Sequence, residues 1–133
     1  VSVTGTLTVT DVDNAAAFTP QTSVAGTYGT FSLQANGNWT FNAYSAYDSL
    51  NVGQSITDIF TVSAVDGTTS SVQVTIHGTN DAAILSSATT TLVETNAPLS
   101  ASGTLTISDV DSPATYVAQS STAGAYGTFS INA

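Results

Sequence analysis

The sequence predicts an all-β chain made of antiparallel β-sandwich repeats in tandem, and three observations lead there. One stretch is written twice: Gly5–Ala35 (GTLTVTDVDNAAAFTPQTSVAGTYGTFSLQA) returns without a gap as Gly103–Ala133 (GTLTISDVDSPATYVAQSSTAGAYGTFSINA). The two share 18 of 31 positions at an offset of 98 residues. Self-similarity at a fixed period means tandem units, and a period of this length fits one sandwich domain per unit. Polar and apolar residues also alternate along the chain, as in Thr6-Leu7-Thr8-Val9-Thr10 and Ser71-Val72-Gln73-Val74-Thr75-Ile76. That period of two belongs to half-buried strands, and no segment carries a helical stripe. Lastly, Asn36-Gly37 and Asp66-Gly67 separate such runs. Both dipeptides favour the positive φ angles that two-residue hairpins need.

Taken in order, the patterns predict strands near 3–10, 28–34, 38–43, 56–65 and 70–78. After a linker at 79–83 come strands near 84–93, 102–108 and 126–132. The strand at 84–93 has no counterpart ahead of Val1. Residues 1–80 therefore read as a nearly complete sandwich repeat lacking its first strand, and 81–133 as the first part of the next. The chain looks like a window cut from a longer array. Half a sandwich exposes an edge and half a core, so 99–133 is expected to be weakly ordered. Tyr28, Phe31, Trp39 and Phe41 cluster on the central hairpin, where core packing is favoured over a sugar-stacking platform.

Composition removes whole classes of function. There is no Lys and no Arg against nine acidic residues, a formal net charge of −9. Nothing in the chain neutralises phosphate, so nucleic acid is excluded as a partner, and anionic membrane surfaces with it. No 18-residue apolar run is present for membrane insertion, and no basic segment of a signal peptide. Cysteine is absent, so the fold must be held by core, repeat contacts or metal. Carboxylates with no basic partner invite a hard cation.

Catalysis finds no support. The single histidine, His77, closes a strand, and there is no G-x-S-x-G elbow, no cysteine nucleophile and no glycine-rich phosphate loop. An enzyme is not expected. The acidic residues fall instead at strand ends. Asp11-Val12-Asp13 and Asp109-Val110-Asp111 each follow a strand, and alternate residues of an extended chain point to the same side. Calcium takes six to eight oxygens from carboxylates, amides and carbonyls. Asn80, Asp81, Glu94, Asp109 and Asp111 would supply a good part of such a shell. Against this stands the plainer reading, in which acidic residues at strand ends are solvated turn formers. Asp66 reads equally as a ligand or as the first residue of a hairpin turn, and Asp48 reads as a solvated loop residue.

The phrases GTLTVTDVD, YGTFSLQANGNWTF, ITDIFTVSAVDG and VQVTIHGTNDA resemble the VCBS repeats of giant bacterial surface proteins. Those repeats are related to the immunoglobulin-like and cadherin-like modules of RTX adhesins. The resemblance implies immunoglobulin/cadherin-like β-sandwiches strung in arrays, with calcium (Ca2+) at the junctions stiffening the string. Residue by residue, Gly78-Thr79-Asn80-Asp81 is similar to the cadherin linker, Glu94 to its early-strand glutamate, Asp109 and Asp111 to its D-x-D. Ala64-Val65-Asp66 resembles the A-x-D motif, which groups Asp66 with Asp11 and Asp13 at one end of the first repeat. The linker's second Asn and its Pro are absent, alanines following Asp81.

The function so implied is a calcium-stiffened structural spacer of a secreted or cell-surface bacterial adhesin, serving cell adhesion or biofilm formation. Its partners are neighbouring repeats of the same polypeptide, and its place is extracellular. Two alternatives stand beside it. One is a subunit of an extracellular filament, in which residues 84–93 complete the sheet of another copy. The other is a module binding a glycan or host surface.

Overall fold

A strand forms where an alternating sequence finds a neighbouring edge to take its N–H and C=O groups. The chain is seen here in a computed structural model that describes all residues, 1–133. It contains ten strands and no helix, and it divides into two compact units, Val1–Thr79 and Asn80–Ala133.

The first unit is a two-layer sandwich. One layer is a four-stranded antiparallel sheet of β1 (Ser2–Thr6), β2 (Gln21–Ala25), β3 (Gly29–Leu33) and β4 (Asn38–Ala43), in the order β1-β4-β3-β2. The other is the long hairpin of β5 (Ser55–Ser63) and β6 (Thr69–His77). Every second residue of β3 and β5 faces between the layers, which is the expected period of two realised as burial. Phe31, Leu33 and Phe41 from the sheet meet Phe60, Val62, Val72 and Val74 from the hairpin, with Phe18 closing one end. Phe31 and Phe60 stack at 4.8 Å between ring centroids. The aromatic hairpin is thus mainly core, with Phe31 and Phe41 buried and Trp39 and Tyr28 half-buried.

The expected turns at Asn36-Gly37 and Asp66-Gly67 are present, with one correction. Only the glycines take positive φ, at +91° and +92°. The Gly37 and Gly67 N–H groups bond back to the Gln34 and Ala64 carbonyls. Each loop therefore has three residues, a turn followed by a left-handed glycine, rather than two. Gly37 has a second reason to be glycine, because a Cβ there would collide with the Leu7 carbonyl.

The first strand is shorter than its alternation suggests. It ends at Thr6, followed by one further bond from the Leu7 N–H to the Gly37 carbonyl, because the partner edge of β4 begins only at Asn38. An unexpected strand, β2, completes the sheet. Its sequence, QTSVA, hides it because a bulge interrupts the alternation between Gln21 and Val24, with Ser23 at φ +48°.

The second unit contains four short strands. β7 (Ile84–Leu85) pairs with β8 (Ile107–Ser108), and β9 (Gln119–Ala123) with β10 (Thr128–Ile131). The strands expected at 84–93 and 102–108 shrink to two residues each. Ser86 adds one bond to the Thr106 carbonyl, and Ser87–Val93 makes no backbone hydrogen bond at all. Alternation specifies which face of a strand is apolar; it does not supply the edge that the strand must pair with. No apolar side chain of this unit is buried.

Candidate functional site

The acidic loops are built by the same local chemistry twice. An aspartate side chain readily accepts from backbone N–H groups two and three residues on, which stops a strand and turns the chain. Asp11 Oδ1 accepts from the N–H groups of Asp13 at 2.9 Å and Asn14 at 2.7 Å. Asp109 Oδ1 accepts from those of Asp111 at 3.1 Å and Ser112 at 2.8 Å. The bond from Asn14, then that from Asp13, holds the Asp11 carboxyl below its ordinary pKa. Asp109 is lowered likewise, chiefly by the Ser112 N–H.

The two loops differ at their second carboxylate. Asp13 is exposed, whereas Asp111 is only 7 % exposed. The Asp81 N–H donates to Asp111 Oδ2 at 3.1 Å, and the Ser112 hydroxyl lies 3.3 Å from Asp111 Oδ1. The Asn80 amide donates to the Asp81 carbonyl at 2.8 Å. Of the five residues proposed for one shell, Asn80, Asp81, Asp109 and Asp111 are thus joined into one hydrogen-bonded neighbourhood. Glu94 is exposed and makes no bond to any of them. In the first unit, Asp66 Oδ1 accepts the Thr68 N–H at 2.9 Å and Oδ2 the Thr68 hydroxyl at 3.0 Å. Those bonds account for it as a turn residue. Asp48 lies exposed in the loop after β4.

Calcium can be tested against this donor set. Oxygen ligands are of the right kind, and Asp81 and Asp109 Oδ2 keep free lone pairs. Yet no three acidic or histidine side chains converge as they would around an ion. The donor types suit calcium, while their side chains are not gathered into a shell.

One acidic residue of the first unit, Asp58, resembles in sequence only a candidate for the acidic pair that cadherins place before a late strand, and it is not among the expected ligands. Asp58 is 6 % exposed, and its two oxygens accept the Thr27 and Tyr28 N–H groups, both at 2.8 Å. It clamps the turn between β2 and β3 onto β5. Gly26 makes room, since a Cβ there would sit 2.6 Å from Asp58 Oδ2. Tyr28 then packs edge-on against Tyr47 at 5.8 Å, and the Tyr47 hydroxyl donates to the Tyr28 carbonyl at 2.7 Å. Burial, with the Asp58 charge second, raises the Tyr47 pKa above 10.0. The available signal was register: Asp58 shares the inward face with Ile56, Phe60 and Val62. His77 ends β6 opposite Ser55, exposed.

The sequence model of a family described as bacterial cadherin-like domain matches residues 1–78. No curated protein matches the chain.

Proposed function

This chain belongs to the bacterial cadherin-like domain family, and from that premise we propose that it is a spacer repeat of a giant secreted or cell-surface bacterial adhesin. Domains of this family are typically extracellular, non-catalytic structural modules, and no helix here is long and apolar enough to cross a membrane. The finer reading is of the VCBS type, with calcium stiffening the run of repeats.

The observation that carries this reading is the Asp81–Asp109–Asp111 neighbourhood in a chain with no basic side chain. Asp111 is buried beside a second carboxylate, and like charges so placed are costly unless a cation neutralises them. Asn80, Asp81, Asp109 and Asp111 would hold the ion, and Glu94 would close on it from the exposed segment. Calcium would supply charge neutralisation. The chain's own contribution is the pair of loops that aim the carboxylates and the backbone bonds that keep Asp109 ionised.

A thermal melt in calcium and in EDTA tests the proposal. Extracellular modules bind calcium with Kd of roughly 10⁻⁴ to 10⁻³ M, and a hundredfold excess over Kd adds about 2.7 kcal/mol. The expected outcome is a rise in Tm with calcium that disappears in Asp109→Ala and Asp111→Ala. Equal melting in both buffers would mean that these carboxylates are solvated turn formers.

A further inference from the structure

β5 has one edge fully paired, from Ser55–His77 to Ser63–Thr69 across the hairpin. Its other edge is covered only at the far end. There Phe18 bridges Ala64, the Thr19 N–H reaches the Ser63 carbonyl at 2.8 Å, and the Gln21 amide caps the Thr61 carbonyl at 2.9 Å. Beyond Gln21 the chain leaves β5 and joins β3. The crossing is made by the bulge at Ser23, φ +48°, whose N–H is held by Ser32 Oγ at 2.9 Å.

A left-handed serine is strained, and this strain is built twice. Ser121 has φ +49°, its N–H lies 2.9 Å from Ser130 Oγ, and β9 and β10 show a register shift of their own. Recurrent bulges re-aim or terminate pairing, and recurrent strain marks a feature that the fold maintains. Here its effect is to leave the Thr57–Thr61 side of β5 without a strand partner. A cleft of about 590 Å³ opens along it, walled by Val24, Ile59 and Phe60. Ile59 is 66 % exposed. Asp58 lies at the base, both oxygens already taken by N–H groups. Thr27, Thr57 and Thr61 also line the cleft, and an unpaired edge beside exposed apolar side chains such as Ile59 is the receiving half of strand addition.

We infer that this edge of β5 receives a strand from a second copy of the chain, the segment Ser87–Val93. That segment (SATTTLV) carries no charge, and every residue in it is exposed. It is rich in residues that favour extended backbone. None of its backbone groups is bonded, and its seven residues span the five of Thr57–Thr61. Two copies each bearing −9 repel wherever carboxylates meet. The segment brings no carboxylate of its own, and the one carboxylate in the cleft, Asp58, is buried with both oxygens held by N–H groups, so this approach adds little to that repulsion.

The test is sedimentation of the full chain over a range of concentrations in EDTA, which keeps calcium out of the result. The weight-average mass is expected to rise above that of the monomer as concentration increases. Ile59→Asp and Leu92→Asp should each weaken association about tenfold or more, while the melt of each variant stays that of the parent. Mixing an Ile59→Lys chain with a Leu92→Asp chain should restore it. A fluorescent SATTTLV peptide offers a second readout, binding the intact chain but not the Ile59→Asp variant. A constant monomer mass with no peptide binding, or association indifferent to Ile59→Asp, overturns the inference. Loss with Ile59→Asp but not with Leu92→Asp overturns the choice of segment.

Discussion

Phe31 and Phe129 occupy the same place in the repeated stretch, yet Phe31 is 0 % exposed and Phe129 is 53 % exposed. Tyr28 is half-buried against Tyr47, while its counterpart Tyr126 stands wholly in solvent. A Cβ on Gly5 would lie 2.5 Å from the Trp39 indole; one on Gly103 would meet nothing within 4 Å. The local backbone bonding, in contrast, recurs in the turns and in the hairpin register of β2–β3 and β9–β10. The aspartate turn recurs, the serine bulge recurs, and the hairpin closes with Gly26 to Gly29 at 2.8 Å and Gly124 to Gly127 at 2.7 Å. Short-range hydrogen bonding therefore follows from local sequence in both units. Burial does not, because the layers that bury Phe31 come from β4, β5 and β6, which lie further along the chain.

The comparison can be broken most sharply at the phenylalanines. Phe31→Ala should cost about 3–5 kcal/mol by emptying a packed core, whereas Phe129→Ala should stay within about 0.5 kcal/mol, as for a surface site. Urea unfolding of both variants measures it; equal losses would mean that the second unit has a core of its own. Next in size is Asp58→Ala. It strands the N–H groups of Thr27 and Tyr28 and should cost about 1.5–3 kcal/mol. Amide exchange should speed up at those two positions. It should be unchanged at their counterparts Ala125 and Tyr126, whose N–H groups meet no carboxylate. The smallest effect is in acid. Asp11 and Asp109 both have folded pKa values below the ordinary 3.8. Their stabilisation is complete above that value and is lost as pH falls through the lower folded one. Replacing either with Ala should flatten the acid limb of a stability–pH curve below 3.8, and an unchanged limb would show that the turn bonds do not survive in solution.

How far the sequence was legible depends on what each feature needed. β3 to β6 were readable because alternation and glycine turns coincide with strands that find partners close by in the chain. β2 and β9 were not, because a bulge at Ser23 or Ser121 destroys the period that would announce them. Residues 84–93 announced a strand that forms only at Ile84 and Leu85, since pattern carries no information about whether an edge is present. Both D-x-D loops were visible, and for the second its nearness to Asn80 and Asp81, though not the separation of Glu94 from them. Asp58 was visible only as an acid, not as a clamp, because its partners Thr27 and Tyr28 lie some 30 residues earlier.

By itself, then, the sequence determined the all-β class, the period, the aspartate turns, the left-handed glycines and the absence of any cationic counterpart to nine acids. These are properties of neighbours along the chain or of composition, and they need no tertiary partner. Only the tertiary structure decided how the segment from Phe18 to Ala25 leaves β5 for β3, and that Asp58 rather than Asp66 is the buried acid of the first unit. Each of those depends on which distant segment arrives to pack or pair, and long-range packing, unlike a turn, is written across residues that sequence places far apart.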